Sequence, residues 1–137
     1  MKGRKGLVVL IFILGLSAFQ CGRKATISIP EDLIGVWKTT APTYADRFFK
    51  IKTDEVVFGT GEETFDTYPI TKIKTEKDPR EQGTFYTLYY RSIEGQEYKF
   101  SFYYYPENHG TIRFKNQNEM AWTKEGASDE KSDDQNS

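Results

Sequence analysis

One histidine and one cysteine are all that this 137-residue chain offers of the two side chains most used as metal ligands, bases and nucleophiles. His109 stands alone between Asn108 and Gly110, so neither a His–Cys metal cluster nor a histidine-based catalytic triad can be assembled. Cys21 has no second thiol with which to form a disulfide. A glycine-rich phosphate loop and a Ser-x-x-Lys pair are also missing, and the acids of Asp54-Glu55 and Glu62-Glu63 are adjacent rather than spaced as in a calcium loop. Neither sign of charge predominates, with 19 basic and 20 acidic side chains interspersed, which leaves no basic stripe for nucleic acid. Nowhere do apolar residues recur at helical spacing for three turns. These gaps exclude most catalytic classes, so no enzymatic activity, cofactor or metal is expected.

The one long apolar stretch lies at the start. Lys2, Arg4 and Lys5 precede Leu7-Val8-Val9-Leu10-Ile11-Phe12-Ile13-Leu14, and the run breaks at Gly15, Ser17 and Gln20, short of the roughly 20 residues of a spanning helix. Cys21 stands where it ends. The arrangement resembles a bacterial lipoprotein signal, which implies removal of the leader and acylation of Cys21 as the first mature residue. Three outcomes stay open: lipidation at Cys21, ordinary cleavage near Ala18 with a free thiol, and an uncleaved anchor. Lipidation leads, because a lone thiol in an oxidising compartment is otherwise a liability. Gly22 is not the aspartate that retains such proteins at an inner membrane, and the resemblance therefore implies the outer membrane, facing the periplasm.

Without the leader the chain has 16 basic against 20 acidic residues, a net charge of −4. The resemblance and the composition together divide it, as an expectation, into a signal peptide at 1–20, a polar tether at 21–31 that the resemblance implies is lipid-anchored, a single folded domain at 32–124 and an acidic tail at 125–137. The tail holds no apolar residue larger than Ala127 and is expected to be disordered. The domain is long enough for one core and no second lobe.

Short runs rich in Val, Ile, Thr, Tyr and Phe, separated by Gly, Pro, Asn and Asp, fill that domain. They predict strands near Ile34–Thr40, Arg47–Thr53, Glu55–Gly59, Thr67–Thr75, Gly83–Ile93, Gln96–Tyr105, Thr111–Lys115 and Glu119–Lys124. Glu94-Gly95 reads as a tight hairpin, with longer loops at Lys77–Arg80 and Pro106–Gly110. Eight strands without a helix predict an all-β, antiparallel up-and-down barrel, since closure removes exposed edges. Tyr98, Phe100, Phe102 and Tyr104 alternate with polar Lys99 and Ser101 and are expected to face inward. Tyr86, Leu88 and Tyr90 share one face of their strand while Phe85 and Tyr89 take the other. The inward face of the strand holding Ile70 and Ile73 is left undecided.

Leu33-Ile34-Gly35-Val36-Trp37 is similar to the Gly-x-Trp motif that opens lipocalin-like barrels, and a small calycin-type barrel lipoprotein is the family resembled. The resemblance implies that Gly35 and Trp37 close one barrel end beneath a basic side chain from a late strand, for which Arg113 is the candidate, and that ligands enter at the other end. Two functions follow. In the first, Tyr86, Phe100, Phe102 and Tyr104 line a site for a small apolar or amphipathic ligand. In the second, the outer face, with Tyr89, Tyr103 and Tyr105, docks an envelope protein. The first is favoured slightly, because the resemblance and the inward aromatic face agree, although crowding by 19 aromatic residues between Asp32 and Lys124 argues against it.

Overall fold

Alternation and turn chemistry place eight strands, each antiparallel to its neighbours, in the computed structural model, which describes residues 26–126. They are β1 (Gly35–Lys38), β2 (Phe48–Ile51), β3 (Glu55–Gly61), β4 (Thr64–Lys77), β5 (Thr84–Arg91), β6 (Glu97–Tyr105), β7 (Thr111–Phe114) and β8 (Gln117–Lys124). Each pairs with the next and β8 returns to β1, so the sheet is a closed up-and-down barrel, compatible with a lipocalin-like fold. The expected signal peptide, Cys21 and the part of the expected tail from residue 127 lie outside the described residues.

Several strand ends follow from identifiable backbone needs. Ser92 donates to the Gln96 carbonyl at 2.9 Å and Gly95 returns to Ser92 at 2.9 Å, with Gly95 at φ +86, a conformation that a residue without a Cβ adopts freely. β4 is longer than predicted at 14 residues. Glu62 and Glu63 form a two-residue turn that lets Thr64 pair with Gly61, drawing Thr64–Asp66 into the strand although they carry little apolar signal. A bulge between Ile70 and Lys72 resolves the ambiguous face of β4. The extra residue shifts the alternation by one, so Ile70 and Ile73 both reach the core despite their odd spacing.

The core is one continuous cluster. Trp37, Ile51, Val56, Leu88, Phe102 and Ile112 are fully enclosed, with Phe49, Ile70, Tyr104 and Trp122 also buried beside them. Ile29 and Leu33 belong to the same cluster, with Ile27 packed against it. The tether expected through residue 31 is therefore corrected over its described part. The alternating isoleucines 27 and 29 carry enough apolar surface to pack beneath the barrel, and the folded unit begins ahead of Asp32.

A 3₁₀ turn at Glu31–Leu33 brings this segment across the end at which β1 begins. At the other end the connection from β1 to β2 contains a second 3₁₀ turn, Pro42–Tyr44. Tyr44 meets Trp122 edge-on at 6.0 Å and accepts a hydrogen bond from Gln117 Nε2 at 3.3 Å.

Candidate functional site

Tyr86, Phe100, Phe102 and Tyr104 all face the barrel interior, where each packs on the core cluster. What they meet there is other rings. Phe100 on β6 lies 5.1 Å from Phe49 on β2 and 5.2 Å from Phe58 on β3, with the planes near perpendicular. β2 and β6 are opposite walls of the eight-membered ring, so these contacts span the lumen. Phe114 and Trp122 extend the chain of rings at 5.4 and 5.6 Å steps, and Phe49 reaches Trp122 at 5.2 Å. Such separations are those of aromatic pairs in contact. The inward set thus packs ring against ring across the lumen.

The barrel end that holds Gly35 and Trp37 is built from three elements. Trp37 donates from Nε1 to the Leu33 carbonyl at 3.0 Å, fastening β1 to the preceding 3₁₀ turn. Its ring stacks on Phe49 and takes Tyr104 edge-on, both at 6.3 Å. Gly35, at φ +147, lets the chain pass so close to β8 that a Cβ would come within 3.0 Å of Lys124.

The cation over this ring is Lys124, not Arg113. Lys124 Nζ sits 5.3 Å from the Trp37 centroid and donates to the Asp32 carbonyl at 2.9 Å. Register explains the correction, because Lys124 is the direct β8 partner of Trp37 across the closing seam. Arg113 occupies β7 between inward Ile112 and Phe114, so its side chain points outward and reaches the Asn118 carbonyl.

That outward position puts Arg113 in a different site. A groove of about 610 Å³ runs along the outside of β6 and β7, lined by Tyr103, Tyr105, Thr111, Arg113 and Lys115, with Glu81 and Glu107 at its rim. Tyr103 pairs with Phe85 at 4.8 Å, and Tyr105 lies flat over Gly83, where a Cβ would approach its ring to 2.7 Å. Both tyrosines are thus held in place from beneath while half-buried. Tyr89 lies apart from this groove on the outer face of β5, opposite Lys72 and Lys99 in register. A smaller groove of about 420 Å³ crosses the outside of β1 to β4, where Phe65 is 61% exposed.

Burial raises the pKa of Tyr86, Tyr90 and Tyr104, with the Asp32 carboxylate adding to Tyr86 and Tyr104 and the neighbouring Tyr68 and Tyr98 adding to Tyr90. Asp78 is lowered by the backbone N–H and then the guanidinium of Arg80. His109 sits exposed in the Glu107–His109 turn with φ +66, and among the described residues no three metal-ligating side chains gather. Sequence reasoning missed Lys124 as the ring partner and the groove around Arg113. Only the strand register, which brings distant residues side by side, reveals either.

No protein-family model matches the chain, and no curated protein or solved structure matches it.

Proposed function

We propose that this chain is a non-enzymatic interaction module of the bacterial cell envelope, a small lipocalin-like lipoprotein held through Cys21 in the outer membrane and facing the periplasm. Its working surface is the outer groove of β6 and β7, and its partner there is a protein. The observation that carries this reading is the contact of Phe49 and Phe58 with Phe100 across the lumen. A ligand inside the barrel would have to separate those rings, whereas the β6–β7 groove offers space without rearrangement. The groove also presents tyrosine and arginine, the residue types that supply most binding energy at protein interfaces. A small apolar ligand among Tyr86, Phe100, Phe102 and Tyr104 is the less supported reading.

Native mass spectrometry of the lipidated protein, purified from its own membrane, tests the choice. A retained protein whose cross-links map to Tyr103, Arg113 or Lys115, and which is lost in a Tyr103→Ala, Arg113→Ala double variant, is the expected result. A retained small molecule lost in Phe100→Leu overturns it.

A further inference from the structure

Three lysines from two strands converge on one tyrosine of the outer wall. Lys72 and Lys74 on β4 and Lys99 on β6 place their ammonium nitrogens 5.5, 5.6 and 5.4 Å from the centre of the Tyr89 ring on β5. The register makes this a compact array. Lys72, Tyr89 and Lys99 form one row across three strands, and Lys74, Thr87 and Ser101 form the adjacent row on the same face. Thr87 and Ser101 hydroxyls are 3.0 Å apart, the last donor of that pair free to turn outward.

The charges in this array are not compensated within the fold. Ion pairs among the described residues join Lys38 to Glu125, Lys52 to Glu55 and Arg80 to Asp78, and none involves these three lysines. Two acids share the face, Glu76 beside Lys74 and Glu97 beside Lys99; Glu97 lies toward the Thr71 hydroxyl at 3.4 Å, and neither forms an ion pair with the three lysines. Three like charges within about a Debye length of one another repel, and a single tyrosine face offsets cations only weakly at an exposed site. A concentrated positive spot on a domain that is otherwise nearly balanced, with 13 basic and 14 acidic residues from Asp32 to Lys124, calls for an external anion.

We propose that Lys72, Lys74 and Lys99 around Tyr89, with the Thr87 and Ser101 hydroxyls, bind a phosphoryl group, carried by a phospholipid headgroup or by a soluble phosphate. Three separate point-charge donors suit a tetrahedral group with several terminal oxygens, whereas a planar carboxylate is best met by a guanidinium fork, and no arginine is among the three cations over the Tyr89 ring. The site lies further along the same outer wall, shares no lining residue with the β6–β7 groove and does not depend on the reading given to that groove.

The test uses the lipidated protein in a non-ionic detergent, titrated with inorganic phosphate, pyrophosphate, and dihexanoyl phosphatidylglycerol below its micelle-forming concentration. Nuclear magnetic resonance of the Tyr89 ring and the lysine side chains is the readout. The expected result is saturable perturbation at Tyr89, weakened about fivefold by each single Lys→Gln change and at least tenfold by the triple change, with Lys→Arg at the same positions retaining binding. Tighter binding of the phosphatidylglycerol assigns the phosphoryl group to a headgroup, and tighter binding of the inorganic anions assigns it to a soluble phosphate. Equal weakening by Lys50→Gln, Lys77→Gln and Lys115→Gln combined, or equal affinity for citrate, overturns the proposal. So does the absence of any perturbation at Tyr89.

Discussion

Lys124 Nζ lies 5.3 Å from the centre of the Trp37 ring while it donates to the Asp32 carbonyl at 2.9 Å. One side chain thereby ties β8 to β1 and both to the segment that covers the barrel end. The β1–β8 seam has only two residue pairs, Trp37 with Lys124 and Lys38 with Thr123, so each additional tie across it counts. Lys124→Met keeps the aliphatic stem and removes the charge. It is expected to lower stability by about 1 kcal/mol in urea denaturation, the sum of a modest cation–π attraction and one hydrogen bond. Arg113→Met, at an outward position, is expected to stay within about 0.5 kcal/mol of the parent.

The two tryptophans differ in what their indole nitrogens find. Trp37 Nε1 has the Leu33 carbonyl at 3.0 Å, whereas Trp122 Nε1 is buried without a protein partner. Trp37→Ala is expected to cost roughly 3 to 5 kcal/mol, as for other large-to-small changes in a core. The sharper comparison is with phenylalanine. Trp37→Phe strands a buried carbonyl, while Trp122→Phe removes a donor that was already unsatisfied, so the first variant should be less stable than the second by about 1 to 3 kcal/mol. Equal denaturation midpoints would contradict that assignment of hydrogen bonds.

Gly35 offers an independent check on the closed end. Its φ of +147 and its 3.0 Å approach to Lys124 leave no room for a methyl group in a relaxed backbone. Gly35→Ala should therefore destabilise the domain by about 1 to 3 kcal/mol, measured by thermal unfolding. If Lys124→Ala in the same chain recovers part of that loss, the close approach to the lysine stem is a contributor alongside the backbone strain.

The strands were legible because their signal is local. Alternation from Tyr98 to Tyr104 and the Glu94-Gly95 turn fix β6 and its hairpin without knowledge of any neighbour. β4 was only partly legible, since a bulge at Ile70/Lys72 breaks the period on which the reading of a face depends. The site was less legible still. Lys124 meets Trp37 from 87 positions away in sequence, and Lys99 joins Lys72 and Lys74 only through two strand pairings. Such neighbours depend on register, which turn lengths and bulges set jointly.

The proposed anchor makes a prediction about Cys21. Two acyl chains hold a protein at a bilayer where one does not, each buried methylene contributing about 0.8 kcal/mol. Cys21→Ser should move the domain from the membrane to the soluble fraction of a cell lysate once the leader is removed. Retention of the variant with its leader intact would instead identify residues 7–19 as the anchor.

The last prediction concerns alkaline pH and the three tyrosines with raised pKa. Burial is the main cause for Tyr86, Tyr90 and Tyr104, and it disfavours their phenolate forms in the folded state. Between the ordinary tyrosine value of about 10 and the raised folded values, the unfolded chain releases protons that the folded chain retains. Stability from this source is accordingly complete below about pH 10 and is lost as pH rises through the folded values. Urea midpoints should be flat from about pH 8 to 9 and fall above about pH 10, alongside late appearance of phenolate absorbance from a subset of tyrosines. Asp32 raises Tyr86 and Tyr104 but is not among the causes at Tyr90, and its backbone carbonyl serves Lys124 whatever the side chain. Asp32→Asn should therefore make the alkaline fall shallower without abolishing it, and Tyr90→Phe in that background should reduce it further. A midpoint that stays level through the tyrosine range would show that these three phenols ionise as freely in the folded barrel as in the unfolded chain.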